Sequence, residues 1–189
     1  MAKRKTKLAT KMKKKWFMVL APEIYKNTEI AEITAFEPQN LVGRSVQVSL
    51  MKITGIPKDQ HKKVVFKIKD TQGEKALTEP WKLLLQEGFI QRASRRFKER
   101  ILTILKIKAK DGKTVKLKLV TLVVSKLPRA VKTDLAKKIE ASTREKVSKL
   151  PSSDLFAPMA LDKLSMELKK EIKTIYPVNR IVVWKLTVI

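Results

Sequence analysis

The alternation of apolar and polar residues is clearest in two neighbouring segments, Ile101–Lys108 and Thr114–Val124. Odd-numbered positions in both segments are mostly apolar, and Lys116 and Lys118 occupy even-numbered positions in the second. A period of two residues is the pattern of a β-strand with one buried face. The sequence therefore predicts a β-hairpin here.

Two turns could join these strands. A two-residue turn at Asp111-Gly112 is a common hairpin connection, but it would place Ile107 opposite Lys116. A three-residue loop that also includes Lys110, with Gly112 left-handed, places Ile107 opposite Val115 instead. We adopt this loop because a slip of one residue would exchange the two faces of the strand.

The adopted register brings cations together, with Lys106 opposite Lys116, and Lys108 near Thr114 and Lys116. Like charges that face each other across strands are destabilising. One interpretation is that a polyanion lies on this face. The other is a solvated lysine face that protects an edge strand from aggregation. The hairpin alone leaves both interpretations open.

Upstream of the hairpin, the pattern predicts further strands and one helix. Strands are expected at 16–20, 46–50 and 61–69, and another is expected to begin at 75–78. Pro22 ends the first strand, and a turn at 70–73 precedes the last. Loops are expected at 29–40, with a short helical turn near 38–41, and at 54–60. Pro80–Ala93 is predicted to be a helix, because Pro80 suits a first turn and Leu84, Leu85, Phe89 and Arg92 follow helical spacing.

After the hairpin the apolar period changes to 3.6 residues, which predicts helices. The apolar stripes run through Val131, Leu135, Ile139, Val147 and Leu150, and then through Leu161, Leu164, Leu168, Ile172 and Ile175. Pro151 separates the two helices, and Ser152 or Ser153 is a candidate cap for the segment after it.

The last segment, Ile181–Val188, is predicted to be a strand. Val182, Trp184, Leu186 and Val188 are expected to share one face. Such a strand must pair with a central sheet, so the helices form a layer on a β core.

The predicted fold class is therefore α+β. We expect a mixed β-barrel-like core at 16–125 and 181–189, a helical layer at 128–176, and a disordered basic arm at 1–15. Residues 16–189 are expected to form a single domain.

The composition changes the picture because the chain of 189 residues has a formal net charge of +25. Self-repulsion on this scale is relieved best by nucleic acid, through phosphate neutralisation and counterion release. An anionic membrane surface is the weaker alternative.

The uncharged runs are too short to span a bilayer, and the N-terminus has no apolar signal core. The absence of cysteine excludes disulfides and thiolate chemistry.

Candidate RNA-binding residues fall into four groups of cations. They are Lys3, Arg4, Lys5, Lys7, Lys11, Lys13, Lys14 and Lys15 in the arm, Lys62 and Lys63, the cluster Arg92, Arg95, Arg96, Lys98 and Arg100, and Lys106, Lys108, Lys116 and Lys118 in the hairpin. The arm could instead be a solubilising or nuclear-targeting tail. Trp16 beside it could stack on a base or belong to the core.

We find no catalytic motif, and we expect no metal and no cofactor. His61 is the only histidine, so a second imidazole for a metal site or a triad does not exist. It is interpreted as a surface or phosphate-facing residue. The five glycines show no phosphate-binding spacing. The protein is therefore not expected to be an enzyme.

Several segments resemble, in the same order, the S3Ae family of archaeal and eukaryotic small-subunit ribosomal proteins. They are 14–23 (KKWFMVLAPE), 41–44 (LVGR), 50–55, Gln60-His61 before the strand with Phe66-Lys67-Ile68, Arg92–Arg96, Asp111-Gly112-Lys113 and Ile175-Tyr176-Pro177. The opening segment and Ile175-Tyr176-Pro177 are the most specific. Ala93-Ser94 interrupts a run of arginines that is usual in the family.

The resemblance implies a mixed β-barrel with helices and a place on the platform of the small subunit, near the messenger RNA exit, in the cytoplasm. It also implies contacts with small-subunit ribosomal RNA and neighbouring ribosomal proteins, with messenger RNA near the exit as a further partner and no membrane contact. Eukaryotic relatives have longer tails, so an archaeal-type member is expected. The alternative function is a free single-stranded RNA-binding protein or RNA chaperone, although most aromatic residues fall on predicted apolar faces.

Overall fold

The computed structural model describes residues 14–95, 97 and 99–189. The predicted disorder of the arm therefore falls almost wholly outside the described residues. Within them the fold is α+β, as predicted, with eight strands and four α-helices. The strands are β1 (Lys15–Leu20), β2 (Glu29–Ala35), β3 (Ser45–Ser49), β4 (Lys62–Gln72), β5 (Lys75–Leu85), β6 (Glu99–Lys108), β7 (Thr114–Val123) and β8 (Arg180–Val188). The helices are α1 (Leu50–Thr54), α2 (Glu87–Arg95), α3 (Arg129–Lys149) and α4 (Ala160–Ile172), with short 3-10 turns at Glu23–Tyr25, Pro38–Leu41, Pro57–His61 and Asp154–Phe156.

The strands form one mixed sheet with the order β2-β1-β5-β8-β7-β6. β4 pairs along the length of β5, and β3 pairs with β4. β1 and β5 are parallel, and the other pairs are antiparallel. Among the described residues β2, β3 and β6 each pair on one side only. The sheet therefore does not close into a barrel.

The helical layer covers one face of the sheet. The central residues of the apolar stripes predicted for the two helices are buried against it, since Ile139 of α3 and Leu168 of α4 share one apolar cluster with Leu117 and Leu119 of β7. These four side chains are fully buried. The prediction is wrong for the last residue of each stripe, because Leu150 and Ile175 lie beyond the ends of α3 and α4 and are exposed. α3 and α4 are thus anchored by the apolar stripes that their sequences show. No helix among the described residues is long and apolar enough to cross a membrane.

A smaller apolar cluster lies under α2. Ile90 of α2 packs with Val120 and Leu122 of β7 and with Leu85. Val120 and Leu122 alternate along β7 with Leu119, which belongs to the helical-layer cluster. Because successive strand residues point to opposite faces, α2 lies on the sheet face opposite α3 and α4.

The predicted hairpin is confirmed with its register. Ile107 pairs with Val115, and Lys106 pairs with Lys116. The backbone N–H of Ala109 donates to the carbonyl of Lys113, which closes the three-residue loop. Gly112 has φ +77°, the left-handed conformation that this loop needs.

The predicted helix at 80–93 is wrong in its first half. β5 continues to Leu85, and α2 starts at Glu87. Leu83 and Leu85 are buried and belong to the alternating pattern of a strand paired with β4. The register shifts next to Pro80, and such a β-bulge is a position where a sheet tolerates proline.

The expectation of a loop over 29–40 is also wrong in its first part, because β2 pairs antiparallel with β1. Ile30 and Ala35 are buried while Glu29 and Glu32 are exposed. The acidic residues of the exposed face made this edge strand resemble a loop in the sequence. The helical turn at Pro38–Leu41 is confirmed. The loop expected over 54–60 contains a 3-10 turn, and Leu50 begins α1 instead of ending β3.

The terminal strand is confirmed, and it pairs with both β5 and β7. Its predicted single apolar face is wrong. The register with β7 shifts between Lys118 and Leu119, and Trp184 is the extra residue. As a result Val183 and Leu186 pack in the helical-layer cluster, while Trp184 packs beside the cluster under α2.

Ser153 occupies the N-cap position of the 3-10 turn at Asp154–Phe156, as predicted, but neither serine makes a side-chain capping hydrogen bond. The backbone N–H and the hydroxyl of Ser152 donate to Asp111 Oδ2 over 2.7 and 3.0 Å. Ser153 makes no capping hydrogen bond. Asp111 thereby ties the hairpin loop to the helical layer.

Candidate nucleic-acid interface

The sheet face that is not covered by α3 and α4 collects lysines from five adjacent strands. Residues directly opposite each other in antiparallel strands point to the same side. Along this face Lys106 pairs with Lys116, Lys118 with Lys185, Thr187 with both Lys116 and Lys82, and Leu84 with both Lys185 and Lys63. We call the six lysines 63, 82, 106, 116, 118 and 185 the lysine face.

Two adjoining depressions show that these side chains lie close together. One of about 330 Å³ is lined by Lys82, Lys116, Lys118 and Lys185. The other, of about 450 Å³, is lined by Lys63 together with Lys118 and Lys185. The two depressions share Lys118 and Lys185, so five of the six lysines line one continuous surface, and Lys106 adjoins it through its pairing with Lys116.

No ion pair neutralises the lysine face in the described part of the chain, and Glu87 is the one acidic residue that lines its two depressions. Among the described residues, none of its ammonium groups lies within 4.0 Å of a carboxylate oxygen, whereas Lys69 and Lys132 are paired with Glu79 and Glu99. Burial, and secondly the charge of Lys185, lower the pKa of Lys82 below its usual value. Cations held in this way favour a polyanionic ligand.

Two tryptophans position lysines of this face. Lys82 Nζ lies 3.3 Å from the centroid of the Trp81 ring, and Lys118 Nζ lies 5.4 Å from that of Trp184. The Trp81 indole donates a hydrogen bond of 3.1 Å to the Val188 carbonyl. Cation–π contacts of this kind restrain flexible ammonium groups.

The described members of the arginine cluster, Arg92, Arg95 and Arg100, lie on the same side of the sheet. Arg92 and Arg95 are exposed on α2, which covers this face. Arg100 is exposed opposite Leu122, and Leu122 packs under α2. Lys108 is exposed at the far end of the hairpin, opposite Thr114. Arg92, Arg95, Arg100 and Lys108 thus extend the basic surface.

Lys14 and Lys15 lie elsewhere, at the start of β1 and near the other edge of the sheet. Both are exposed, and Lys14 Nζ is 5.5 Å from the centroid of the Phe36 ring. The other candidates, Lys3, Arg4, Lys5, Lys7, Lys11, Lys13, Arg96 and Lys98, lie outside the described residues.

Lys62 differs from the other described candidates because it forms ion pairs. Its Nζ lies 2.9 Å from Asp59 Oδ1 and 2.6 Å from Asp162 Oδ2, and the Asp59 side chain is only 4% exposed. Burial lowers the pKa of Lys62, but the hydrogen bonds to Asp162 and Asp59 outweigh it, so that the pKa is raised. We therefore interpret Lys62 as a structural cation.

Replacing Lys62 by Met is expected to destabilise the fold by about 3–5 kcal/mol, because it leaves the buried Asp59 carboxylate without its cation. The salt dependence of RNA binding should stay unchanged. Because the folded pKa is raised, the contribution of Lys62 is complete below the unfolded value of 10.5 and is lost as pH rises through the folded pKa. Urea denaturation at pH 7 and above pH 10.5 measures the loss of stability and its pH dependence.

The matched control is Lys69→Met, because the pair of Lys69 with Glu79 is largely exposed. Exposed pairs contribute about 1 kcal/mol or less. Equal losses of folding stability in the two variants would show that the pair of Lys62 with Asp59 stabilises the fold no more than an exposed pair does.

The sequence predictions missed Lys82 and Lys185. Lys82 fell in the segment predicted as a helix, and Lys185 reaches this face through the β-bulge at Trp184. A strand assignment for 75–85 would have found Lys82, because alternation along a strand places its side chain on the sheet face away from that of the buried Leu83. No local signal in the sequence marks the bulge.

Comparison with known proteins places the chain in a family. The model of the Ribosomal S3Ae family matches residues 2–189. The chain is 30% identical over 185 residues to small ribosomal subunit protein eS1 of Staphylothermus marinus, covering 97% of this chain and 87% of that protein. It is 31% identical over 179 residues to eS1 of Archaeoglobus fulgidus, with coverages of 92% and 83%. With eS1 of Picrophilus torridus it is 30% identical over 182 residues, with coverages of 95% and 87%. The chain therefore belongs to the Ribosomal S3Ae family.

Proposed function

We propose that this protein is a structural constituent of the small ribosomal subunit and that it binds small-subunit ribosomal RNA. Its relatives are named as small ribosomal subunit proteins of archaea, and a structural part of the cytoplasmic ribosome needs no catalytic site. In this proposal residues 16–189 form one domain, and residues 1–15 form an arm that adds further RNA contacts.

The lysine face is the observation that supports RNA binding. Facing lysine pairs cost the free protein stability, and the charge is uncompensated among the described residues. Phosphates of an RNA backbone would supply the missing negative charge and release counterions. We therefore favour a polyanion-binding face over the alternative, a merely solvated lysine face that protects an edge strand.

The contacts of such a surface are expected to be with the RNA backbone. Lysine ammonium groups are point charges, and phosphate contacts fix the position of a protein without specifying sequence. Duplex RNA is recognised mainly by shape, phosphates and 2′-hydroxyls. The lysine face and Arg92, Arg95 and Arg100 would therefore hold the protein on a folded RNA.

The family resemblance supports a finer location. We propose a place on the platform of the small subunit near the messenger RNA exit, with neighbouring ribosomal proteins as partners and messenger RNA within reach. The helical layer offers α3 and α4, with exposed Met166, as a surface on the side opposite the lysine face.

The test is co-sedimentation with archaeal small subunits. The tagged protein is expected to remain in the small-subunit fraction through a high-salt wash, because an integral constituent is held by many contacts at once. Release of all the protein by a moderate salt wash, with recovery of free protein bound to varied RNAs, would contradict a structural role.

That contradicting result would favour the second candidate, a free single-stranded RNA-binding protein or chaperone. One observation supports it. Trp16 is 65% exposed, and Trp81 and Trp184 lie beside lysines instead of deep in the core. Exposed aromatic rings next to cations are typical of single-strand binding surfaces. The ribosomal role remains our proposal because the family match spans residues 2–189.

A further inference from the structure

A second recessed site lies where α2 meets the beginnings of β4 and β8. It is a cavity of about 360 Å³, lined by His61, Phe89, Arg92, Phe97, Asn179 and Arg180. We propose that it binds a single unpaired nucleotide of an RNA strand, with the base against the aromatic rings and the phosphate on the arginines. This proposal rests on the proposed function in one respect, that RNA is the ligand of this side of the sheet.

Flat side chains form the walls of the cavity. The imidazole of His61 stacks on the ring of Phe89, with centroids 4.7 Å apart and planes at 30°. The guanidinium carbon of Arg180 lies 5.3 Å from the Phe89 centroid, and Phe97 is half-buried beside them. Unstacked RNA bases bind by stacking on aromatic rings and on guanidinium planes.

The cavity also presents a polar side chain for a base edge. His61 Nδ1 is buried and has no hydrogen-bond partner among the described residues, so a base edge can reach it only after the imidazole turns. The exposed amide of Asn179 offers both a donor and an acceptor, and its backbone N–H is fixed by a 3.2 Å hydrogen bond to the Leu122 carbonyl.

The charge of the cavity points to a phosphate. Arg92 and Arg180 are exposed, and neither lies within 4.0 Å of a carboxylate in the described part of the chain. Arg92 Nε donates to the Gly88 carbonyl over 3.3 Å, which leaves its terminal nitrogens for a ligand. A bare anion would not use the aromatic walls, and an apolar peptide would not use the arginines. A nucleotide uses both.

The cavity continues the lysine face. Arg180 pairs with Leu122, on the same strand as Lys118. Four residues of a strand span about 13 Å. An RNA backbone that follows the lysine face therefore reaches the cavity within a few nucleotides, where one base can turn out of the strand and enter it.

His61 allows a direct test, because it is the only histidine and its imidazole NMR signals need no assignment. The full-length protein is titrated with uridine and adenosine monophosphates, a single-stranded hexanucleotide, a blunt RNA duplex and inorganic phosphate. We expect the nucleotides and the single strand to shift the His61 signals saturably. Inorganic phosphate and the duplex should leave them unmoved. The same shift with phosphate alone, or no shift with any nucleotide, would overturn the proposal.

Substitution separates this site from general charge. Arg92→Gln with Arg180→Gln should abolish the His61 shift and weaken binding of the single strand about tenfold or more, since two phosphate contacts and a stacking surface are lost. The control is Lys170→Gln with Lys173→Gln, which removes the same charge at exposed positions near the end of α4. Equal weakening by the two pairs would refute a specific site.

A second variant tests the aromatic wall. Phe97→Ala is expected to weaken binding of the single strand about fivefold or more, with duplex affinity retained and an unchanged circular dichroism spectrum. An effect on both RNAs alike would contradict base stacking. If long ribosomal RNA binds while the His61 signals never move, the nucleotide site is wrong and the proposed function stands. If no RNA binds, both fail.

Discussion

Replacing the two facing lysine pairs, Lys106 with Lys116 and Lys118 with Lys185, by glutamine is expected to lower the affinity for small-subunit ribosomal RNA on the order of a thousandfold near 0.1 M salt. The reason is counterion release. Each phosphate contact contributes roughly 0.7–0.9 to the slope of log K against log salt, so four lost contacts should make it shallower by about 3. Filter binding or fluorescence anisotropy at four or more salt concentrations measures both quantities.

The matched control carries the same four-charge loss on the helical layer. Lys137, Lys163, Lys170 and Lys173 are exposed residues in or near α3 and α4, and none is in an ion pair among the described residues. Their replacement by glutamine should change the slope by less than about 1. If the control variant loses as much affinity as the lysine-face variant, net charge alone governs binding and the lysine face has no special role.

The same substitutions should make the free protein more stable. Lys106 faces Lys116 and Lys118 faces Lys185, and facing like charges cost a few tenths of a kcal/mol to about 1 kcal/mol per pair. A gain in stability together with a loss of RNA affinity distinguishes a binding surface from a structural one. A variant that binds poorly because it is unfolded would show the opposite change in stability.

The hairpin could be predicted from the sequence because its determinants are local. Alternation sets the faces of both strands, and Gly112 supplies the left-handed residue that the loop requires. The stripes of α3 and α4 were equally visible, because a helix needs only its own apolar period. The hairpin prediction identified three of the six residues of the lysine face, namely Lys106, Lys116 and Lys118.

The start of β5 at 75–78 was predicted, but its second half could not be, because the determinants of that half are distant in sequence. The apolar residues between Pro80 and Phe89 are compatible with both periods, and pairing with β4 decides between them. The β-bulge at Trp184 depends on the register with β7. Lys82 and Lys185 were missed for these reasons.

The nucleotide cavity was beyond sequence reasoning for a similar cause. His61, Phe89 and Arg180 belong to segments far apart in the chain, and only the packed sheet brings them together. His61 was expected at the surface or near a phosphate, yet it is half-buried and stacked on Phe89. The sequence could show that one histidine stood among basic residues, but not what it contacts.

Replacing Phe66 by Ala is expected to destabilise the protein by about 3–5 kcal/mol, the usual cost of emptying a phenylalanine site in a core. Phe66 is 0% exposed, and its ring meets that of Tyr25 edge-to-face with centroids 5.6 Å apart. Tyr25 in turn donates a hydrogen bond to the Phe156 carbonyl, between α3 and α4. Phe66 therefore supports the link between the sheet and the helical layer. The midpoint of thermal unfolding should fall by about 6–20 °C.

Phe36→Ala makes the same chemical change at a position that is 45% exposed, and it should cost about 1 kcal/mol or less. Because Phe66 points into the cluster beneath the helical layer, the folded Phe66→Ala protein should bind RNA with the same salt slope as the original chain at a temperature well below its midpoint. A reduced slope in that folded variant would mean that the lysine face needs the packing around Phe66 to keep its geometry. A loss of stability no larger than that of Phe36→Ala would instead show that the contact with Tyr25 contributes little to holding the two layers together.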